Sequence, residues 1–273
     1  MIYLIFSYAF LIMPIDSKVV GMGSASTALN PDVSGVFWNP AVIGNNKFTT
    51  TIMNFGGLNY YAVGRTLKIK GIHFGLGMKG LYSGEMVKRD TLGRPFGSFQ
   101  YIAVVPIIGF SKKMMNNFTI GAKLFLPFEK VTSYTSYGLG FEFGAIYKIY
   151  RKLNIGVYGR NFGFSLSPFI SEKREMENEI RIGVAYFDKR FILSGDIFYP
   201  FGIATGVKIP IKDFFSINFG YNTLYNDLKI GEGIDPLTNA NFGFSVRFSN
   251  KSLMYNAIFA GPLGIVHNVG IEF

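Results

Sequence analysis

The chain has 273 residues, of which 16% are charged and 17% aromatic, with 33 glycines, no cysteine and a formal net charge of +10. That charged fraction is below the quarter or so of a soluble domain, yet after the N-terminus no apolar run reaches the ~18 residues of a spanning helix. Apolar in composition but not in runs is what a transmembrane β-barrel needs, because its strands alternate lipid-facing and lumen-facing residues, and the absence of cysteine removes disulfide and thiolate chemistry.

Residues 1–17, MIYLIFSYAFLIMPIDS, have the apolar centre of a signal peptide without its basic start or A-x-A site. Cleavage is expected near Ser17; the alternative is a short buried apolar segment of the mature protein. Residues 18–46 then break with the alternation of everything that follows. Gly21, Gly23, Ser24, Ala25, Ser26 and Ala28 allow close backbone approach, Asn30-Pro31-Asp32 signals a turn, and Asp32 or Ser34 suits a helix cap. Phe37 and Trp38 put large apolar surface beside a proline-fixed corner at Pro40. This stretch is expected to be a plug within the barrel mouth, or a latch that fills space and gates nothing.

Runs of period two follow at 47–55, 58–68, 71–83, 98–111, 117–130, 136–150, 153–164, 178–188, 190–199, 203–211, 213–222, 239–248, 252–260 and 264–273, predicting a 14-stranded antiparallel barrel over 47–273. Phe141, Phe244 and Phe248 are expected to face lipid. Connections alternate between short turns, such as Ile69-Lys70 and Arg151-Lys152, and a set including long loops at 84–97, 165–177 and 223–238. Loops sorted by parity describe an outer-membrane barrel with both termini in the periplasm. The last strand ends on Ile271-Glu272-Phe273, with Val269 and Ile265 in phase behind the terminal aromatic.

Gly21-Met22-Gly23-x-Ala25-x-x-Ala28 followed by Val36-Phe37-Trp38-Asn39-Pro40-Ala41 resembles the start of PorV/PorQ-type outer-membrane proteins, relatives of the FadL-like channels for hydrophobic compounds. The resemblance implies a 14-stranded barrel whose N-terminal segment occupies the lumen. It assigns Gly21, Met22, Gly23, Ala25, Ala28, Phe37, Trp38, Asn39, Pro40 and Ala41 to plug and gate. It also implies either a role in type IX secretion and surface attachment or passive uptake of small hydrophobic or amphipathic molecules. The modest outer loops depart from a full secretion shuttle.

Enzymatic chemistry is not expected. Gly21-Met22-Gly23 lacks the Lys-Ser/Thr of a phosphate loop, and strand parity puts His73 in the lumen and His267 outside, so the two cannot share a metal. No cofactor or metal follows. The positive charge gathers at the short turns, at Lys70, Lys112, Lys113, Arg151, Lys152, Lys189, Arg190 and Lys212, which favours lipid headgroups or periplasmic partners over nucleic acid. Parity places Lys79, Lys123, Arg160, Arg181 and Arg247 in the lumen with Glu142 and Asp196, either attracting anionic solutes or pairing with one another and with plug carbonyls. Pro106, unable to donate to the ladder, predicts a bulge or a wall kink, which in the FadL-like channels opens a lateral exit.

Overall fold

The computed structural model describes residues 8–168, 176–200, 202–229 and 235–273. Its wall runs through Phe48–Phe55 (β1), Leu58–Ile69 (β2), Ile72–Tyr82 (β3), Tyr101–Met115 (β6), Phe118–Phe125 (β7), Phe128–Val131 (β8), Tyr134–Tyr150 (β9), Leu153–Ser165 (β10), Glu179–Phe187 (β11), Ile192–Tyr199 (β12), Gly202–Lys212 (β13), Phe215–Asn222 (β14), Ala240–Phe248 (β15), Lys251–Phe259 (β16) and Ile265–Glu272 (β17). Met86–Arg89 (β4) and Pro95–Phe99 (β5) form a hairpin apart from the wall. β7 and β8 occupy one wall position in succession, so the antiparallel ring has 14 strands. It closes where β1 meets β17, from Thr49 opposite Glu272 to Asn54 opposite His267. Phe48 and Phe273 exchange both backbone hydrogen bonds at the seam, 2.7 and 3.0 Å.

Alternation determines which face meets which solvent. On β11, Ile180, Ile182 and Val184 are 47%, 63% and 45% exposed, while Arg181 between them is buried. Phe141 and Phe248 point outward in the same way, and Phe244 is half-exposed, packed against Phe215 and Tyr255. Each such side chain gains about 1.5–3 kcal/mol when removed from water, and soluble proteins do not leave a continuous band of them exposed. The wall is built for lipid.

Three local departures from the sequence expectation have physical causes. The loop at 84–97 folds partly into the β4–β5 hairpin around a turn at Asp90–Gly93, where Asp90 accepts from the Leu92 and Arg94 amides. β6 continues through Lys112 and Lys113, expected in a turn, because Asn116-Asn117 supplies the turn chemistry. The run expected at 117–130 is interrupted at Leu126-Pro127. Most of the expected loop at 165–177, and part of that at 223–238, lies outside the described residues; residues 223–228 form 3-10 turns.

The lumen is filled by the chain preceding β1. Glycines in the inward-facing wall positions admit its backbone: a Cβ on Gly121 would lie 2.3 Å from the carbonyl carbon of Pro40.

Candidate functional site

From Tyr8 to Gly44 the chain is irregular, and an irregular backbone away from water must find partners for its polar groups. Local caps satisfy some. Asp16 accepts from the Lys18 and Val19 amides and starts the five-residue helix Ser17–Gly21 (α1). Asp32 accepts from Val33 N at 2.6 Å and opens a 3-10 turn at Val33–Val36. Asn39 accepts from Ala41 N at 3.0 Å and opens another at Pro40–Val42, with Pro40 at the first position, where a missing N–H leaves no bond unmade. Phe37-Trp38-Asn39-Pro40-Ala41 is thus a helix start that projects two aromatic rings.

Wall asparagines satisfy many of the rest. Asn154 donates to Ala28 O (3.1 Å), Asn218 to Gly21 O (3.0 Å), Asn256 to Ser17 O (3.0 Å), Asn268 to Ile15 O (2.7 Å) and Asn241 to Val20 O. Gly23, at φ +60°, lies so close to β13 and β14 that a Cβ would stand 2.4 Å from Thr205 O. Met22 caps α1, while Ala25 packs with Phe198 and Ala204. Thr27 donates its amide and hydroxyl to Asp196, 3.2 and 2.7 Å, and its carbonyl accepts from Asn39 at 2.6 Å. Phe37 lies in the main apolar cluster with Val36 and Ile43, and Ala41 packs with Ile146. This packing runs through position 17, where Ile15, Asp16, Ser17, Val19 and Val20 are all buried.

Trp38 stands at the centre of a charged layer. The guanidinium carbons of Arg160 and Arg181 lie 4.7 and 4.8 Å from its ring centroid, and Tyr158 packs alongside at 5.8 Å. Lys123 Nζ pairs with Glu142 at 2.7 Å and donates to Trp38 O at 2.6 Å and Val36 O at 3.3 Å. Tyr158 donates to Glu142. Glu179 accepts from Arg181 and lies 3.6 Å from Arg160, which donates to Leu11 O at 2.5 Å, and Asp196 lies 4.0 Å from Arg181. Taking an ion out of water costs several kcal/mol; here partners and carbonyls surround nearly every one. The exception is Lys79, buried and without an ion pair or hydrogen bond among the described residues. Arg247 shares the inward-facing parity but stands exposed near the short-turn end, outside this layer. Glu179 was missed by sequence reasoning, although Glu179-Ile180-Arg181 carries the period-two signal.

At the short-turn end a second cluster ties the segment to the seam. Lys18 pairs with Asp32 at 2.6 Å and with Glu272, which also takes Lys47. Burial pushes the Asp16 carboxyl up to about 7. It would push Asp32 up too, but Lys18 outweighs it and holds Asp32 below its ordinary value. Against the downward effect of burial, Asp32 and Glu272 hold the Lys18 ammonium above its own.

At the other end the lumen is mainly apolar, with Glu129, Ser136 and Ser165 buried among its side chains. Tyr60, Leu81, Tyr101, Val105 and Phe125 line it around Tyr8, Phe10, Leu11, Met13 and Ile15. Pro106 lies outward within an unbroken β6, opposite Leu126, whose amide donates to Pro106 O at 3.1 Å. The interruption falls next door, at Pro127, whose carbonyl accepts from Gly138 N at 2.9 Å. Neither proline returns the bond, so two neighbouring ladders each lack one at the same height. His73 faces the lumen, and His267 lies outward against Tyr255 at 2.8 Å.

No family model matches the sequence, and no curated protein does. Solved structures do. The toluene transporter TodX of Pseudomonas putida matches with a TM-score of 0.64 at 13% identity, over 93% of this chain and 95% of that one. A Pseudomonas aeruginosa FadL homologue matches with 0.60 at 10% identity, over 96% and 98%. The chain, a closed 14-stranded barrel, shares the fold of these proteins.

Proposed function

We propose that the protein is an outer-membrane channel for passive uptake of small hydrophobic or amphipathic molecules, with residues 18–44 as its plug. The observation that carries the reading is the apolar half of the lumen. There Tyr8, Phe10, Leu11, Met13 and Ile15 occupy a chamber lined mainly by apolar side chains, with Glu129, Ser136 and Ser165 among them, directly above Lys79 and the charged layer. Processing near Ser17, as a signal peptide requires, removes those side chains and leaves a vacant chamber of ligand character. The plug closes the other half, with Gly21, Met22 and Gly23 against β13–β14, Ala25 against Phe198 and Ala204, Ala28 against β10, Trp38 in the charged layer, Phe37 against β2–β3, and Asn39, Pro40 and Ala41 against β7 and β9. Small solutes in the chamber meet the wall beside Pro106 and Pro127, where two ladder bonds are absent, and a lateral exit to the lipid lies there.

Purified protein reconstituted in planar bilayers and titrated with toluene and with laurate tests this. Binding of either compound is expected, together with a steady conductance once residues 18–44 are deleted. Absence of both results overturns it.

A secretion-associated role of PorV/PorQ type is the second reading. It is favoured by the cationic rim at Lys70, Lys112, Lys113, Arg151, Lys152, Lys189, Arg190 and Lys212, a docking surface on the periplasmic side in the proposed orientation. Recovery of periplasmic partners by the wild type, and their loss when the rim is neutralised, supports this second role.

A further inference from the structure

A cavity of about 180 Å3 lies at the short-turn end, between the N-terminal segment and the inner faces of β11–β16. It is far from the apolar chamber and is lined differently. Its wall runs in strand order through Phe187, Ile192, Lys208, Asn218, Ser245 and Met254, so apolar residues flank the polar ones, and Leu29 comes from the segment. Lys208 is half-buried and, among the described residues, has no ion pair and no hydrogen bond. That is unusual beside two carboxylates. Asp32, also in the lining, is taken by Lys18, and Glu272 by Lys18 and Lys47. Lys18 and Lys47 balance Asp32 and Glu272, while the third carboxyl of the cluster, Asp16, caps α1. Lys208 and Arg247, whose side chain shares the inward face with Ser245, are left as unmatched positive charge at the same mouth.

We infer that this cavity binds a small amphipathic monoanion, a carboxylate on an apolar body about the size of one aromatic ring. The carboxylate takes a charge-assisted hydrogen bond from Lys208 Nζ and a second from the Ser245 hydroxyl, which otherwise pairs with Ser216 at 2.6 Å. The ring lies against Met254, the cross-strand partner of Ser245. A neutral compound of the same shape gains the apolar contact but leaves the lysine unmatched, so charge sets the preference. A dicarboxylate or a phosphate is disfavoured by Asp32 on the facing side. The site is independent of the uptake reading, because it requires neither an open chamber nor a lateral exit.

Benzoate and its neutral isostere benzamide are titrated into the full chain in an uncharged detergent, by calorimetry and by saturation-transfer NMR. Benzoate is expected to bind at least about tenfold more tightly than benzamide. Lys208→Gln is expected to weaken benzoate by about tenfold or more, the loss that accompanies one charge-assisted bond, and Lys208→Arg to restore most of it. Met254→Trp, which fills the space taken by the ring, tests the cavity without touching its charge and should abolish binding. Each variant is checked for heat-modifiable gel mobility, so that a misfolded barrel is not scored. Equal affinity for the two compounds, no binding to the wild type, or full binding to Met254→Trp overturns the proposal. So does a loss that follows Lys79→Met rather than Lys208→Gln, because it puts benzoate in the apolar chamber.

Discussion

Replacing Lys123 with methionine removes the ammonium that joins Glu142 to the carbonyls of Trp38 and Val36, at 2.7, 2.6 and 3.3 Å. Lys123 and Glu142 are both buried, so the variant leaves a carboxylate without its cation where water does not reach. Breaking such a pair costs about 3–5 kcal/mol. Part of that cost is relieved if the segment around Trp38 lifts away and lets water reach Glu142. The open population of residues 33–43 should therefore rise, by at most about a few thousandfold if the whole cost were relieved. Hydrogen exchange reads this directly, because the Phe37 and Trp38 amides are held by Ser34 O at 3.0 and 3.1 Å. Quenching of Trp38, the only tryptophan in the chain, by acrylamide should rise with it. Lys123→Met/Glu142→Gln removes the stranded charge as well and should recover most of the protection. Unchanged exchange in the single variant, or equal exchange in the single and double variants, would refute the claim that this ion pair holds the segment down.

Deleting Phe273 removes two backbone hydrogen bonds to Phe48 and a ring contact at 4.9 Å between the two aromatics; assembled barrel, scored by heat-modifiable gel mobility, should fall sharply. Pro106→Ala supplies the N–H that the Leu126 carbonyl lacks and should stabilise the wall by about 0.5–1.5 kcal/mol in chemical unfolding. If the lateral exit lies there, the same change slows toluene entry into proteoliposomes, while an unchanged rate removes the exit from that place. Acid below about pH 4 should loosen the segment at its base, whereas between about pH 7 and 4 protonation of Asp16, raised to about 7, acts the opposite way. Asp32 is held below the usual carboxylate value of 3.8 when docked, so its contribution is complete above about pH 4 and lost as pH falls through the lowered value. Limited proteolysis at residues 18–32 should accelerate over that range, and Asp32→Asn should abolish that acceleration while raising the rate at neutral pH.

The barrel itself was legible in the sequence, because period-two alternation follows directly from the pleat and requires no knowledge of neighbours. Ile180-Arg181-Ile182 declares its two faces wherever it lies in the ring. Loop parity, the strand count and the final Phe273 are equally local. Lys79, Lys123, Arg160, Arg181, Glu142 and Asp196 were placed in the lumen by the same rule, and Arg247 was given the right face but not its exposed position at the rim. What these charges do there was not legible. That Arg160 and Arg181 lie on Trp38 depends on residues about 120 and 140 positions away in the chain, brought together only by ring closure. The run containing Pro127 read as one strand because a single inward proline leaves the alternation intact; the interruption comes from a missing bond to a neighbour. The asparagines that hold the segment, from Asn154 to Asn268, look like ordinary polar lumen residues until the carbonyls they serve are seen. Sequence by itself determined the sheet, its two faces and the odd character of residues 18–46, since each is a property of consecutive residues. Only the tertiary structure decided what fills the lumen, which charges are matched and that Lys79 and Lys208 have no ion pair among the described residues, because pairing across a barrel is set by which strands the closed ring brings face to face.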